Sequence, residues 1–140
     1  MAVLLDTSYL LRFIGIHVEG LDLERVGALL AEERIQICEV QLHELLLVGL
    51  KHHRRGAIEA DRIVRGIDLA RRFETIPLTG GVASRTMRVG RILRDPFDSV
   101  ILGTALTVST MLVTLDRAMI RAARHPDVKA LNPALKILTL

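Results

Sequence analysis

Short, wholly apolar runs recur along the chain, separated by stretches in which apolar residues fall every three or four positions. Ala2 to Leu5 is the first such run. It ends at an acid, Asp6, and reads as a buried strand. Thr7 and Ser8 are suited to cap a helix carrying Leu10, Leu11, Phe13 and Ile14, and Gly15 and Gly20 punctuate the chain beyond it. Leu21 to Glu33 has helical spacing, with Leu23, Val26, Leu29 and Leu30 on one face. Arg34 to Cys38 is a second strand, and Glu39 to Leu50 a helix whose end Gly49 weakens. Lys51 to Arg55 forms a polar, basic joint. A longer helix then runs to about Phe73 on Ile58, Ile63, Val64 and Ile67.

Glu74 to Leu78 is a third strand, short or at an edge because Pro77 cannot donate a ladder hydrogen bond. Gly80 to Arg94 is again helical. Asp95-Pro96-Phe97-Asp98 breaks it, since Pro96 disfavours helix at Asp95. Ser99 to Val108 is a helix, Met111 to Thr114 a strand, Asp116 to Ala123 a helix and Lys136 to Leu140 a last strand. Short apolar strands alternating with helices are covered on both faces. That predicts a parallel sheet in an α/β sandwich. With no repeat, linker or low-complexity tract, residues 1–140 are expected to form a single domain.

Composition narrows the picture. Half the residues are hydrophobic and a quarter charged, a globular balance. Aromatic residues are scarce, so the core must be built from Leu, Ile, Val, Ala and Met. The single cysteine, Cys38, cannot form an internal disulfide and reads as a buried small hydrophobe. Met1 to Leu5 is too short for a signal peptide and lacks a basic leader. The longest uncharged run, Ser99 to Leu115, has 17 residues, several of them Ser or Thr, and an acid bounds each end. A helix followed by a buried strand explains it better than a membrane span, so a cytoplasmic protein is expected. Net charge is +3. The excess is local: between Lys51 and Arg94 there are eleven Lys or Arg against four Asp or Glu. Such a region suits a polyanion such as nucleic acid, or an acidic protein.

Four acids sit where structure alone gives them little to do. Asp6 follows the first strand and Asp116 follows the fourth. In parallel α/β sheets the ligand crevice lies where strands exit, so these two point to one rim. Glu44 lies inside the apolar stretch Val40 to Val48, and Asp98 opens the most apolar helix. Taken singly, Asp6, Asp98 and Asp116 are each satisfactory helix caps, and Glu44 a solvated helix residue. Together they lie on elements expected to converge. Gathered carboxylates repel and raise one another's pKa. A cation relieves that repulsion, and an oxygen-only ligand set suits Mg²⁺ or Mn²⁺. Such ions support metal-assisted hydrolysis of a phosphodiester without a protein nucleophile.

These residues resemble the PIN domain, and within it the VapC-type toxin ribonucleases. Val3-Leu4-Leu5-Asp6-Thr7-Ser8 is similar to that family's opening aspartate motif, and Val40-Gln41-Leu42-His43-Glu44-Leu45 to its helical glutamate. Asp95-Pro96-Phe97-Asp98 running on to Leu106 resembles the stretch with its third acid. Met111 to Asp116 resembles the strand that delivers the fourth. The resemblance spans nearly the whole chain. It implies a five-stranded parallel sheet flanked by helices and Mg²⁺- or Mn²⁺-dependent RNA cleavage by Asp6, Glu44, Asp98 and Asp116. It also implies a homodimer restrained by a cognate VapB-like antitoxin. The chain departs from the commonest pattern at Cys38, where Ser or Thr is frequent, and at Leu102-Gly103, where a small pair is usual. Asp95 reads as a turn former before Pro96, and Glu39 as an extra acid near the site.

Around the acids, Thr114 is placed to hydrogen-bond a ligand or water, or simply to be a β-branched strand residue. On the helix from Gly80 to Arg94, Val82, Val89, Gly90 and Leu93 share one face. Arg85, Arg88, Arg91 and Arg94 sweep the opposite arc, either as a solvated face or as contacts to RNA phosphates. The five histidines lack metal-ligand spacing. A non-catalytic module binding RNA or protein is the principal alternative. A receiver domain lacks a suitable Lys, and a strand-end Asp-x-Asp phosphatase is disfavoured because Ser8 stands where its second Asp belongs.

Overall fold

The structure is a computed structural model describing all 140 residues. Five strands form one fully parallel sheet: β1 (Ala2–Leu5), β2 (Arg34–Cys38), β3 (Glu74–Ile76), β4 (Met111–Val113) and β5 (Lys136–Leu138). Their order is β3-β2-β1-β4-β5, so the chain builds outward from β1 first one way, then the other. β3 lies at an edge and stops at Ile76, just before Pro77. The helices are α1 (Leu23–Glu32), α2 (Glu39–Arg54), α3 (Ala60–Ala70), α4 (Gly80–Val89), α5 (Pro96–Val108), α6 (Arg117–Arg124) and the short α7 (Pro126–Lys129).

β1 is buried along its whole length, yet its side chains alternate between two cores. Val3 and Leu5 join Ile35, Ile37, Val113, Leu10, Ile14, Leu45 and Ile63 on one face. Leu4 joins Leu112, Ile101, Leu102, Ala105, Met119 and Ala122 on the other. Covering both faces is what erased the polar alternation from the sequence.

Several boundaries differ from the sequence expectation. The stretch after Asp6 forms two 3-10 turns, Thr7–Tyr9 and Leu11–Ile14, rather than an α-helix; Gly15, in the left-handed region at φ 89°, ends the second. α2 continues through Gly49 to Arg54, so the basic joint at Lys51 is helix. Gly49 serves α3 instead: a Cβ there would lie 2.8 Å from Ile63 Cγ2. α4 ends at Val89, five residues early: Gly90 N still bonds Thr86 O at 2.8 Å, but Arg91 N and Ile92 N turn to carbonyls only three residues back, Arg88 O at 3.3 Å and Val89 O at 2.9 Å. α5 begins at Pro96, the favoured first position of a helix, with Asp95 and not Asp98 as its cap. α7 has too few residues to show a period.

α4 and α5 pack as an antiparallel pair. A Cβ on Gly103 would fall 2.9 Å from Thr86 N and 3.0 Å from its Cα, so only glycine admits this approach. The Ser99 hydroxyl donates to Leu93 O at 3.1 Å. The connection carrying Arg91 and Arg94 is thereby delivered to the start of α5. No helix is long and apolar enough to cross a membrane.

Candidate active site

The crossover of strand order puts a crevice where β1 and β4 exit side by side. Asp6 is the first residue past β1, and its N–H is fixed to Val113 O at 2.9 Å. Asp6 is 4% exposed, and both carboxylate oxygens are engaged. Oδ1 accepts from Thr7 N at 2.7 Å and Oδ2 from the Thr114 hydroxyl at 2.7 Å. Thr114 is fully buried just past β4, and its oxygen accepts from Asp116 N at 3.0 Å. One hydroxyl therefore couples Asp6 to the Asp116 backbone. Of the roles the sequence left open for Thr114, the structure shows its hydroxyl donating inward to Asp6.

Asp116 caps α6, its Oδ1 accepting from Ala118 N at 2.8 Å and Met119 N at 3.2 Å. Asp95 caps α5 through Asp98 N at 3.1 Å. That frees the Asp98 side chain, half-buried one turn into α5, for the crevice. Glu44 comes from α2, and its Oε1 accepts from the Thr7 hydroxyl.

The electrostatics tie the acids together. Burial first, then the charges of Asp116 and Asp95, lift the Asp6 carboxyl, while the bonds from Thr114 and Thr7 oppose them. Glu44 is lifted by burial and by Asp6 and Asp95, and lowered by Thr7. Asp98 is pushed up to about 8 by burial, by the charges of Asp6, Asp95 and Asp116, and by a hydrogen bond with Asp116. None of these acids has a Lys or Arg partner: the ion pairs of the molecule are Met1–Glu33, Arg34–Glu74, Arg71–Asp68 and His125–Asp127. The crevice is an uncompensated concentration of negative charge in a poorly solvated place.

The chemistry of the donor set fits a hard divalent cation. As the side chains stand, no three of the His, Cys, Asp and Glu groups converge tightly enough to hold an ion directly. Mg²⁺ keeps several waters and takes only one or two carboxylates, so bridging water can satisfy the others.

Asp95 joins the charge cluster as well as turning the chain. Its position three residues before Asp98 was the available signal. Glu39 faces elsewhere, with Oε2 3.4 Å from Leu78 N. It lines an apolar cavity of about 250 Å³ with His43, Pro77 and Leu78. Cys38 is buried, and burial pushes its thiol up to about 12, so it stays protonated and inert. Of the arginines, Arg85 folds back toward Gly81 O at 3.4 Å, whereas Arg88 is exposed. Arg91 and Arg94 lie beyond the end of α4, against expectation, and line a groove of about 490 Å³ with Met87, Pro96 and Ser99. Gln41 escaped sequence reasoning altogether, because a polar residue in a helix reads as solvated; it is fully buried beside Thr7.

Comparison with known proteins bears on this arrangement. Among curated proteins no sequence match is found. VapBC2 from Rickettsia felis, bound to a DNA fragment from their promoter, contains a chain with a similar fold. Its TM-score is 0.67 at 18% identity, covering 99% of this chain and 98% of that one. PAE2754 from Pyrobaculum aerophilum gives 0.66 at 16% identity, covering 97% and 83%. DNA-bound VapBC from Salmonella typhimurium gives 0.63 at 20% identity, covering 99% and 98%. At these identities the likeness is one of fold. The sequence itself matches the PIN domain across residues 3–125, a span that includes Asp6, Glu44, Asp98 and Asp116. A protein with this sheet order, this match and acids at the exits of β1 and β4 belongs to the PIN domain family.

Proposed function

We propose that the protein is a divalent-metal-dependent endoribonuclease of the VapC toxin type, built as one domain over residues 1–140. Asp6, Glu44, Asp98 and Asp116 are its catalytic and metal-holding residues. The observation that carries this reading is four carboxylates sharing one crevice, each raised or hydrogen-bonded within it, with no cationic side chain to balance them. When bound, Mg²⁺ or Mn²⁺ supplies charge for the phosphate oxygens and makes water acidic enough to attack phosphorus. Asp6, held from both sides by Thr7 and Thr114, offers a fixed anion at the base of the crevice. Asp98, lifted by its burial and by the charges of Asp6, Asp95 and Asp116, would hold the cation together with Asp6 and Asp116. Arg85 and Arg88 on α4 and Arg91 just beyond it are the RNA-backbone contacts of this reading, since guanidinium groups suit phosphate.

The partners of this reading are RNA, a second copy of the chain and a VapB-like antitoxin, in a cytoplasmic setting. The likeness to chains of VapBC complexes supports the antitoxin. Exposed Leu46, Leu47 and Leu50 on α2 and Val64 on α3 supply apolar surface for such contacts.

The test is RNA cleavage by the purified protein with Mg²⁺ or Mn²⁺. Chelation abolishes cutting, and Asp6→Asn or Asp98→Asn lowers it by about a hundred-fold or more, the scale of losing several kcal/mol of charge stabilisation. Equal cleavage by parent and variants rejects the site. The rival, a non-catalytic module, draws on the lack of a converged three-ligand cage. Tight RNA binding without metal-dependent cutting selects it.

A further inference from the structure

Gln41 is fully buried, and each polar atom of its side chain has work to do. Oε1 accepts from Cys38 N at 2.7 Å. Nε2 donates to Leu5 O at 2.7 Å and to Thr7 Oγ1 at 3.3 Å. One carboxamide thus ties together the exits of β1 and β2 and the residue that follows Asp6. Its orientation is not free. The Cys38 N–H needs an acceptor and the Leu5 carbonyl needs a donor, which fixes the oxygen on one side and the nitrogen on the other.

A carboxamide nitrogen can only donate. Thr7 Oγ1 must therefore accept from Gln41 and turn its own hydrogen elsewhere. The acceptor within reach is Glu44 Oε1. The polarity of the Thr7–Glu44 bond is set from inside the core. The same device operates across the crevice, where Asp116 N donates to Thr114 Oγ1 and Thr114 donates to Asp6 Oδ2. In both places an N–H sets a threonine hydroxyl, and the hydroxyl holds one oxygen of an acid.

We propose that Gln41 is a positioning residue for Glu44: by directing the Thr7 hydroxyl onto Oε1, it locks the glutamate side chain in one rotamer and leaves Oε2 to face the cation. The proposal rests on the nuclease reading for its consequence, but the locked rotamer is a property of the metal-free chain. Outer partners of metal-holding carboxylates commonly change metal affinity by about 10–100-fold when removed.

Two measurements test it. In the metal-free protein, three-bond NMR couplings report the Glu44 rotamer. The parent and Thr7→Ser show a single rotamer, while Gln41→Met and Thr7→Val show averaging. Calorimetry with Mn²⁺ alone then reads the coupling. Gln41→Met loses about 10–100-fold in affinity in the parent background and close to nothing when Glu44→Gln is already present. Should Gln41→Met fail to fold, the Thr7→Val and Thr7→Ser pair decides by the same couplings. A Glu44 rotamer unchanged in Thr7→Val and in any folded Gln41→Met, or an equal loss of Mn²⁺ affinity with and without Glu44, overturns the proposal. A parent chain that binds no Mn²⁺ sinks the nuclease reading instead, and the couplings still decide Gln41.

Discussion

Leu4 and Asp6 lie two residues apart as β1 ends, and both are buried, but they are held in opposite ways. Leu4 is enclosed by Leu112, Ile101 and their neighbours, which ask only for apolar volume. Asp6 is enclosed by Thr7 N, the Thr114 hydroxyl and the charges of Asp116 and Asp95, which ask for a particular group at a particular atom. The sheet interior lowers the free energy of the fold. The crevice raises it, and the crevice is tolerable because the interior is continuous on both faces of the sheet. Stability and chemistry are divided along single strands, at the point where each leaves the sheet.

That division can be broken from either side. The largest expected effect on stability comes from the interior. Leu4→Ala should cost about 2–5 kcal/mol in urea unfolding, from lost burial and a cavity that the sheet cannot close. Cleavage per folded molecule should be unchanged. A variant that unfolds normally but loses activity would show that the crevice and interior are not separable.

A smaller effect of opposite sign comes from the crevice. Asp98 has its folded-state pKa near 8 against an ordinary value of 3.8. Protonated Asp98 therefore favours the folded state. That contribution is complete below about pH 4 and is lost as pH rises through about 8. The metal-free melting temperature should fall from about pH 5 to 8, and Asp98→Asn should flatten the fall. Added Mg²⁺ should raise the melting temperature most at the alkaline end, where the acids are ionised. A pH profile identical in parent and Asp98→Asn would refute the mutual repulsion on which the comparison rests.

The smallest effects belong to the exposed rim. Arg88→Ala and Arg91→Ala should each weaken RNA binding modestly and reduce the slope of log affinity against log salt by about 0.7, one phosphate contact on a single strand. Stability should be unaffected. A salt slope that stays at the parent value assigns these arginines to solvent.

Much of the fold was legible in the chain. Ala2–Leu5 and Arg34–Cys38 are strands at the expected bounds, because continuous apolar runs of that length have few alternatives. Helix ends were less legible. The spacing of Val89 and Leu93 persists through a turn that is no longer helix, so the period could not reveal that α4 stops at Val89. The short 3-10 turns after Asp6 escaped for the reverse reason, being briefer than any period.

The same boundary runs through the site. The residue types, their order and the expectation that strand-end acids share a rim came from the sequence, since apolar runs ending in Asp declare where a buried strand stops. Which oxygen bonds which hydroxyl was decided only in three dimensions. Asp95 took the cap of α5 and released Asp98. Thr114 turned inward to Asp6, and Gln41 reached 36 positions back to Leu5. Apolar burial is written in the sequence because it depends on composition along a segment. Hydrogen-bond direction depends on two groups meeting at about 3 Å from distant parts of the chain, and no local pattern encodes that distance.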